Sequence, residues 1–382
     1  MATHEDISFS PEEMRRYDRH FKLPAFGKAA QQKLKAARVL VIGAGGLGSP
    51  LLLYLAAAGV GTIGIVEADV VDDSNLQRQV LYGQHDCGQL KAEAARDRLR
   101  ALNPFVDICL HSARLTSENA IQIIAQYDVV ADGSDNFPTR YLANDACVLS
   151  DKPLVYAAVS QFEGQVSVFH YRNKDGGHGP NYRDLFPTPP LPGSVPDCAE
   201  GGVLGVLPGI IGSMQALEVI KMITGIGKTL DGRLFIFDAL GFETRSFKIR
   251  RREDNPLNGK QRTITQLIDY ELFCGVKSKN SLYQIKEISA PAFREWQQSG
   301  AAFQLIDVRE PYEYAESNLG GELLPLGSIA DHADRISRTL KVVVHCRSGA
   351  RSAQAIRELE EKFGLENLYN LKGGLLAYEE ML

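Results

Sequence analysis

Apolar and polar positions in the first 70 residues follow the pattern of a strand, a helix and a second strand. Apolar runs at Val39–Gly43 and Thr62–Glu67 flank a glycine-rich turn and a helix predicted over about Ser49–Ala58. Strands of a parallel sheet are buried on both faces and therefore form continuous apolar runs. The uncharged segment from Val39 to Val66 is broken by glycines and a proline, so it predicts a βαβ unit rather than a membrane span.

Predicted strands and helices continue to alternate through residue 250. Residues 11–35 predict a leading helical region, Gly164–Tyr171 a more exposed strand, and Leu204–Ile223 a helix with a break at Pro208-Gly209. Such alternation predicts an α/β fold with a doubly wound, mostly parallel sheet. The remaining predicted elements are helices over Lys91–Leu102 and Thr139–Leu149, and strands over Val106–His111, Asp128–Ala131, Leu154–Ala158, Leu234–Asp238 and Thr244–Ile249.

The length and the position of a polar stretch predict two domains of unequal size. The chain has 382 residues, and a typical domain has roughly 100–200. Residues 251–281 are polar, with charges at both ends, and predict a linker between a domain of residues 1–250 and a domain of residues 282–382. Strands near Gln304–Asp307, Lys341–His345 and Asn367–Leu371 predict that the second domain is a smaller α/β domain.

Composition and charge narrow the class of protein. Lys and Arg total 42 and Asp and Glu total 47, a net charge of −5, whereas nucleic-acid binders usually carry a basic excess. The six cysteines are scattered singly, and the first residues lack the basic and apolar segments of a secretory signal. We therefore expect a cytoplasmic protein with reduced thiols that binds neither nucleic acid nor membrane.

A nucleotide site is predicted at the turn after the first strand. Gly43, Gly45 and Gly48 satisfy the G-x-G-x-x-G pattern, with Gly46 beside them, between a strand and a helix. Such glycines allow a tight turn, and the helix N-terminus offers free N–H groups to phosphate oxygens. Glu67 ends the second strand, where an acid can bind a ribose hydroxyl. The pattern predicts a Rossmann-like domain and a bound nucleotide, without deciding which nucleotide.

Charged motifs further along favour ATP over NAD. Asp72–Gln79 follows the second strand, Gly88–Lys91 comes shortly after, and Asp132–Asn136 follows the fourth strand. A dehydrogenase needs no cluster of Arg, Lys and Asp around the phosphates. A nucleotidyl transfer does, because cations neutralise the triphosphate and a carboxylate holds Mg²⁺. An NAD oxidoreductase is therefore the weaker hypothesis.

The order and spacing of these motifs resemble the MoeB/ThiF family of adenylyltransferases over about residues 10–250. The motifs are Arg16-Tyr17-Asp18-Arg19, GAGGLG, SNLQRQ, GQLK and DGSDN. The resemblance implies that ATP and Mg²⁺ bind in this domain. It also implies one role for each matching residue: Asp135 as Mg²⁺ ligand and catalytic acid, Arg78 and Lys91 as phosphate ligands assisted by Asn75 and Gln79, Glu67 as ribose ligand, and Arg19 as a residue that reaches the ATP of the partner in a homodimer.

Two further family features concern cysteines. Members commonly carry two Cys-x-x-Cys pairs that bind zinc, but this chain has Asn181-Tyr182-Arg183-Asp184 and Asn255–Gly259 at the corresponding places. Neutral amides are poor zinc ligands beside Cys or His, so we expect no zinc and an edge of the sheet held by packing or hydrogen bonds. Cys198 resembles a mobile crossover-loop cysteine that approaches an activated carrier terminus, although an idle loop thiol is the alternative.

A second candidate site surrounds Cys346. The apolar strand Val342–His345 leads this cysteine into the loop Arg347-Ser348-Gly349-Ala350-Arg351, which continues into a helix ending near Phe363. N–H groups at such a helix N-terminus, together with the two arginines, are expected to stabilise a thiolate or persulfide anion. Four residues separate Cys346 from Arg351, one fewer than in cysteine phosphatases, and this shorter loop favours sulfur transfer.

The last 100 residues resemble a rhodanese domain. Asp307–Glu310 matches the usual start of that domain and Asn370–Gly374 its usual end. Two departures lie away from the cysteine loop: Ser317–Gly321 replaces the usual His-x-x-Gly-Ala turn, and Tyr378 stands where Trp is common.

Together the two resemblances imply ATP-dependent adenylation of a small ubiquitin-like sulfur carrier ending in Gly-Gly, followed by sulfur transfer from a Cys346 persulfide. Thiosulfate or a cysteine desulfurase would supply the sulfur, and Cys198 would help to release the carrier thiocarboxylate. One alternative is activation for conjugation through a Cys198 thioester, with the second domain as a docking or regulatory module. The receiving pathway stays open between molybdopterin, thiamin, thiolated tRNA and a specialised metabolite.

Overall fold

The structure, a computed structural model, describes residues 7–172, 175–190, 202–275, 285–379 and 381. Contacts within the chain divide it into two compact units, Met1–Ser278 and Lys279–Leu382. Each unit has its own hydrophobic core.

The first unit contains the following elements in chain order. Its strands are β1 Arg38–Ile42, β2 Thr62–Val66, β3 Asp107–His111, β4 Val129–Asp132, β5 Leu154–Ser160, β6 Glu163–Phe169, β7 Arg233–Asp238 and β8 Glu243–Lys248. Its helices are α1 Pro11–Arg16, α2 Asp18–Phe21, α3 Gly27–Ala36, α4 Gly48–Ala58, α5 Lys91–Leu102, α6 Ala120–Ile124, α7 Phe137–Leu149, α8 Tyr182–Leu185, α9 Val206–Thr224 and α10 Tyr270–Phe273.

These strands form a single eight-stranded sheet in the order β3-β2-β1-β4-β5-β6-β7-β8. The strands from β3 to β5 are parallel, and β6, β7 and β8 continue the sheet as antiparallel strands. The predicted Rossmann-like α/β fold is confirmed. Strand order reverses between β1 and β4, where Ile42 pairs with Asp132. Open α/β sheets bind ligands at such a switch point, beyond the carboxyl ends of the strands.

Side chains of the parallel strands alternate between two buried layers, as the pleat of a strand requires. Val39 and Val41 of β1 pack with α3, α4, α5 and α9 on one face of the sheet. Leu40 and Ile42 pack with α6 and α7 on the other face. Burial on both faces explains why the strand reads as a continuous apolar run.

Strand β6 differs from the prediction of a more exposed strand, which was wrong. It pairs with β5 on one side and β7 on the other, so it is an interior strand. Val166, Ser167 and Val168 are fully buried. The polar residue Ser167 is accommodated because its hydroxyl donates a 2.9 Å hydrogen bond to the Arg233 carbonyl.

Helix α9 is continuous, and the predicted break at Pro208-Gly209 was wrong. Pro208 is the third residue of the helix, where backbone N–H groups have no partner within the helix and a missing one costs little. By length and composition alone α9 could cross a membrane, but half of its most apolar stretch is buried. Its buried side packs against α4 and β5, as in the core helix of an α/β domain.

Much of the segment predicted as a linker packs onto the first unit. Asn255, Leu257 and Tyr270 are buried, and α10 contacts α7. Residues 250–275 therefore belong to the first unit rather than to a connecting segment. Residues 276–284 lie outside the described part of the chain.

The second unit is a smaller parallel α/β domain. Its strands are β9 Glu287–Ile288, β10 Phe303–Asp307, β11 Glu322–Leu323, β12 Lys341–His345 and β13 Leu368–Leu371. Its helices are α11 Ala290–Gln298, α12 Pro311–Glu316, α13 Ala350–Phe363 and α14 Gly374–Glu379, with a 3₁₀ segment at Leu326–Arg335. The sheet has the strand order β11-β10-β12-β13-β9, and every pair is parallel. This arrangement places Cys346 directly after the central strand β12.

Candidate active sites

The first unit contains a cavity of about 930 Å³ at the switch point between β1 and β4. Ligand pockets commonly measure about 300–1,000 Å³, so this cavity has room for a nucleotide. Eight of the residues predicted to bind nucleotide line it: Gly43, Gly45, Gly46, Glu67, Arg78, Gln79, Lys91 and Asp135. They converge because the carboxyl ends of β1, β2 and β4 meet at this edge of the sheet.

Glycine is required in the turn after β1 by close backbone contacts. Gly43 has a positive φ of 86°, and a Cβ there would lie 3.2 Å from the Gly133 carbonyl oxygen. A Cβ at Gly48 would overlap the Gly43 carbonyl oxygen. Gly48 is not among the described residues that line the cavity. Its role is therefore to allow the close backbone approach to Gly43 within the turn.

The Glu67 carboxylate fixes this turn from the end of β2. It accepts backbone hydrogen bonds from Ala44 at 2.9 Å, Ala68 at 2.8 Å and Asp69 at 2.9 Å. Tyr82, which the sequence did not single out, donates its hydroxyl to the Ala44 carbonyl at 2.9 Å. The acid therefore shapes the glycine turn in addition to facing the cavity.

Three polar side chains on the opposite wall could contact phosphates. Lys91 begins α5 and is only 6% exposed, with its Nζ 3.5 Å from a carboxylate oxygen of Asp69. Arg78 donates to the Ser74 carbonyl at 3.2 Å. The amide oxygen of Gln79 is buried and has no partner among the described residues. The Lys91 ammonium is thus buried with a single, partly exposed carboxylate 3.5 Å away, and an anionic ligand would add to its compensation.

Two further residues predicted to bind nucleotide, Asn75 and Arg19, are not among the described residues that line the cavity. Asn75 holds the preceding turn, because its carbonyl accepts hydrogen bonds from the backbone N–H groups of Arg78 and Gln79. Arg19 is exposed on α2 and does not line the cavity of its own chain. Cys198 lies outside the described residues.

Three polar side chains of the DGSDN motif at the end of β4 have different surroundings. Asp132 is buried and accepts the Ser134 N–H at 2.9 Å, and burial raises the pKa of its carboxyl group. Asn136 caps α7 by accepting the Thr139 N–H at 3.0 Å. Asp135 between them is exposed and lines the cavity. Asp135 is therefore the carboxylate of this motif best placed to meet a bound ligand.

Sequence reasoning missed several parts of the wall, among them residues 113–118, Arg140 and Leu267–Glu271. Arg140 is 9% exposed, lines the cavity and lies over the Phe137 ring at 5.5 Å. Leu267–Glu271 also lines it, although it is more than 100 residues away in sequence. The Tyr270 hydroxyl holds that segment by donating to Asp145 at 2.8 Å. Helical spacing from Asn136 could have suggested the arginine, whereas no local signal marks the distant segment.

The positions of the two missing Cys-x-x-Cys pairs form a buried hydrogen-bond network. Asn255 Nδ2 donates to Asp184 Oδ1 at 2.8 Å and to Asn181 Oδ1 at 3.2 Å, and Asn255 Oδ1 accepts the Leu257 N–H at 3.0 Å. Asp184 also accepts the Asn181 N–H at 2.8 Å. Amide and carboxylate groups thus join the two segments that thiolates would otherwise join through a metal.

Cys346 of the second unit is buried at the start of a tight loop. Its sulfur accepts the Gly349 N–H at 3.1 Å and lies 3.5 Å from Ser352 Oγ. Gly349 has a positive φ of 92°, which turns the loop into α13. Ser352, which follows Arg351 at the end of the loop, in turn donates to Asn370 Oδ1 at 2.7 Å. The geometry holds the sulfur against donors at a helix N-terminus, as a thiolate requires.

The two loop arginines differ in their surroundings. Arg347 is exposed, as are Ser348 and Ala350. Arg351 forms two 2.7 Å hydrogen bonds to the carboxylate of Glu313, and this contact lowers the pKa of Glu313 to about 2. The charge of Arg351 is therefore paired, and the residue fixes the loop to α12 rather than presenting a second unpaired cation to the sulfur.

These two sites define the class of protein: a Rossmann-like nucleotide-binding domain on the same chain as a domain with a cysteine-centred anion loop. The first matches the ThiF family over residues 17–258, and the second matches the rhodanese-like domain over residues 289–381. The chain belongs to the ThiF family and carries a C-terminal rhodanese-like domain, which confirms both predicted resemblances.

Two curated relatives match almost the whole chain, and a third matches 71% of it. The probable adenylyltransferase/sulfurtransferase MoeZ of Mycobacterium tuberculosis is 47% identical over 380 residues, which cover 98% of this chain and 95% of the relative. The mouse adenylyltransferase and sulfurtransferase MOCS3 is 41% identical, with coverage of 97% and 86%. The sulfur carrier protein adenylyltransferase of Thermus thermophilus is 54% identical over 271 residues, which cover 71% of this chain and all of the relative.

Solved structures share the fold at lower identity. A crystal structure of PaaA aligns with a TM-score of 0.54 at 23% identity and covers 65% of this chain and 78% of its own. E. coli MccB aligns with a TM-score of 0.55 at 20% identity and covers 66% of this chain and 74% of its own. At these identities the likeness supports the fold of the first unit and nothing further.

Proposed function

We propose that this protein adenylates the C-terminal Gly-Gly carboxylate of a small ubiquitin-like sulfur-carrier protein and then converts it to a thiocarboxylate. The observation that carries the proposal is the pairing, on one chain, of the cation-lined cavity with the loop around Cys346. The names of the relatives support both activities. We place the reaction in the cytoplasm, where the scattered cysteines would stay reduced.

In the first step the carrier carboxylate attacks the α-phosphorus of ATP, and the bond to pyrophosphate breaks. Arg78 and Lys91 would bind the phosphates, with the amide of Gln79 beside them. The Glu67 carboxylate would accept a ribose hydroxyl. The acyl-adenylate that forms carries AMP as a good leaving group.

Asp135 would hold Mg²⁺ in this step. Its exposed carboxylate at the cavity wall fits that ion, which is usually bound by one or two carboxylates together with substrate phosphates and water. The ion supplies positive charge against the developing charge on the phosphates. The second carboxyl of the motif, Asp132, is buried and therefore unsuited to this role.

In the second step sulfur passes through Cys346. With thiosulfate as donor, the Cys346 thiolate takes the outer sulfur and releases sulfite, leaving a persulfide. The terminal sulfur then attacks the acyl-adenylate and displaces AMP, which gives an acyl disulfide between carrier and enzyme. A second thiol, for which we propose Cys198, reduces this bond: it forms a disulfide with Cys346 and releases the carrier thiocarboxylate. A cysteine desulfurase could load the same persulfide.

The proposal is tested by incubating the full chain with a Gly-Gly carrier, ATP, Mg²⁺ and thiosulfate and weighing the carrier by mass spectrometry. We expect a carrier heavier by the replacement of one oxygen by sulfur. Carrier joined to a lysine of another protein, with a thioester on Cys198, would instead support the conjugation alternative. A carrier of unchanged mass with AMP released would limit the function to adenylation.

We further propose that the adenylation site is completed across a homodimer by Arg19, because this exposed residue does not line the cavity of its own chain. Mixing Arg19→Ala with Asp135→Ala subunits is expected to restore part of the ATP–pyrophosphate exchange lost in each variant, since a mixed dimer holds one intact site. Absence of rescue, in dimers proven to exchange subunits, would place Arg19 outside the partner's site.

We also propose that the network around Asn255 replaces structural zinc. Protein dialysed against a chelator should contain well under one zinc per chain and remain folded. Asn255→Ala should lower the free energy of unfolding by roughly 2–4 kcal/mol, because it leaves the buried Asp184 carboxylate and the Leu257 N–H short of partners. Asn258→Ala is the matched control, since that amide has no partner among the described residues. Zinc retained after dialysis would contradict the proposal.

A further inference from the structure

Three metal-ligating side chains meet at the edge of the first sheet opposite the nucleotide cavity. Asp151 follows α7, His170 follows β6, and His178 lies in the next segment of the chain. His178 Nε2 is 2.7 Å from Asp151 Oδ1, and His170 Nε2 is 3.5 Å from the same oxygen. One ligand atom from each residue lies within 4.8 Å of the other two. Neither the nucleotide chemistry nor the sulfur chemistry uses this cluster.

Backbone hydrogen bonds hold the two imidazoles face to face. The His170 N–H donates to the Pro180 carbonyl at 2.8 Å, and the Gly179 N–H donates to the Tyr171 carbonyl at 2.9 Å. The rings stack with centroids 4.1 Å apart and an interplanar angle of 3°. Both histidines therefore present Nε2 to one carboxylate without any rearrangement of the main chain.

The hydrogen bonds present do not account for the burial of His170. Its side chain is 8% exposed, and its Nδ1 has no partner among the described residues. Its 3.5 Å approach to Asp151 is at the limit of a hydrogen bond. Burying an imidazole with so little compensation is unfavourable. A metal ion bound at Nε2 would replace the weak 3.5 Å contact with Asp151 by a ligand bond, while Nδ1 would keep no partner among the described residues.

We propose that Asp151, His170 and His178 form a binding site for a divalent transition-metal ion of the Zn²⁺ type. Two imidazole nitrogens and one carboxylate oxygen suit zinc, cobalt, nickel or copper, whereas Mg²⁺ and Ca²⁺ prefer oxygen donors alone. Ligand atoms around tetrahedral zinc are roughly 3.3 Å apart. The 3.5 Å from Asp151 Oδ1 to His170 Nε2 is close to that spacing, and the 2.7 Å to His178 Nε2 must open by about half an ångström. The two stacked rings must also tilt, because a metal ion binds in the plane of each imidazole. The Asp151 side chain, 58% exposed, has the freedom to adjust and leaves the fourth position to water.

The bound ion would tie the C-terminal end of α7 to the end of β6 and to His178. Because an ion that binds only the folded state stabilises it, the melting temperature should rise with metal concentration. Three ligands, one of them exposed, give a reversible site, so metal is lost on purification against a chelator. The site is separate from the Asn181–Asn255 network and does not depend on the proposed function.

The test is titration of chelator-dialysed full-length protein with ZnCl₂ by calorimetry, together with Co²⁺ absorption in the visible range. We expect one Zn²⁺ per chain, a melting temperature raised by several degrees, and no such rise with Mg²⁺. His178→Gln should weaken Zn²⁺ binding by about 100-fold. Loss of a group that only hydrogen-bonds to a metal ligand can already weaken binding by about that much. His85→Gln is the matched control, because His85 is also beside an aspartate but is 84% exposed.

Asp151→Asn is a second variant, and it should weaken Zn²⁺ binding to a similar extent. Because the Asp151 side chain is exposed, this substitution should not prevent the protein from folding. Failure of the wild-type protein to bind one Zn²⁺ would overturn the proposal. Equal affinity in the wild-type protein and in both variants would also overturn it, because the ion would then be held elsewhere.

Discussion

Replacing Asp135 by alanine is expected to lower carrier-dependent ATP–pyrophosphate exchange by about 100-fold or more. A factor of 100 corresponds to about 2.7 kcal/mol of lost transition-state stabilisation, within the several kcal/mol that a bound metal ion supplies. Asp135 is exposed at the cavity wall, between the buried Asp132 and the helix-capping Asn136. Its removal takes away a carboxylate and one long 3.4 Å hydrogen bond from Asn136 Nδ2, but keeps the bond from the Ser134 N–H to Asp132 and the Asn136 cap of α7.

The control for this prediction is Asp97→Ala, which removes an exposed carboxylate from α5 outside the cavity lining. Its exchange rate should stay near that of the wild-type protein. Thiosulfate:cyanide sulfurtransfer should be unchanged in both variants, since Cys346 lies in the other unit. Near-normal exchange by the Asp135→Ala protein would remove this carboxylate from the mechanism and leave the metal without its proposed protein ligand.

The sequence pattern was sufficient to predict a strand or helix where the polarity of its residues matches their burial and where the turns are marked by glycine. The β1–α4–β2 unit was predicted to within a residue or two, because its strands are buried on both faces and glycines mark the turn. Strand β6 was misjudged because Gln165 and Ser167 suggested an exposed face. The second of these is buried and hydrogen-bonded to the neighbouring strand. An alternation of polar and apolar residues does not distinguish a solvent-exposed face from a buried face whose polar groups are hydrogen-bonded within the protein.

The candidate nucleotide site was predictable to the extent that its residues follow strands. Motifs after β1, β2 and β4 must meet at one edge of a parallel sheet, and they do. Leu267–Glu271 reaches the same cavity by long-range packing of Tyr270 against Asp145, which no local pattern encodes. Arg351 shows the same limit in the second unit: the sequence places its charge in the loop of Cys346, but no local pattern shows that its partner is Glu313 from another helix.

Cys346→Ala is expected to abolish sulfur transfer while leaving adenylation intact. Loss of the nucleophile should lower thiosulfate:cyanide sulfurtransfer by at least about 1,000-fold, because donors around the loop cannot form a persulfide without the sulfur. Thiocarboxylate formation should be lost with it. Pyrophosphate exchange should stay within about twofold of the wild-type rate, since mutations at distant, independent sites act separately and the cavity lies wholly within the first unit.

Three further variants make this separation of steps decisive. Cys346→Ser keeps an acceptor for the Gly349 N–H and should show the same loss, which excludes collapse of the loop as the cause. Cys109→Ala, at a half-buried cysteine of the first unit, should leave both activities unchanged. Cys198→Ala should keep exchange and one round of sulfur loading, but release thiocarboxylate slowly unless a reductant is added.

If Cys346→Ala made thiocarboxylate from thiosulfate at the wild-type rate, the second unit would not be the sulfur donor. Its place in the reaction would then be that of a docking module, and the sulfur would have to enter through a thiol of the first unit.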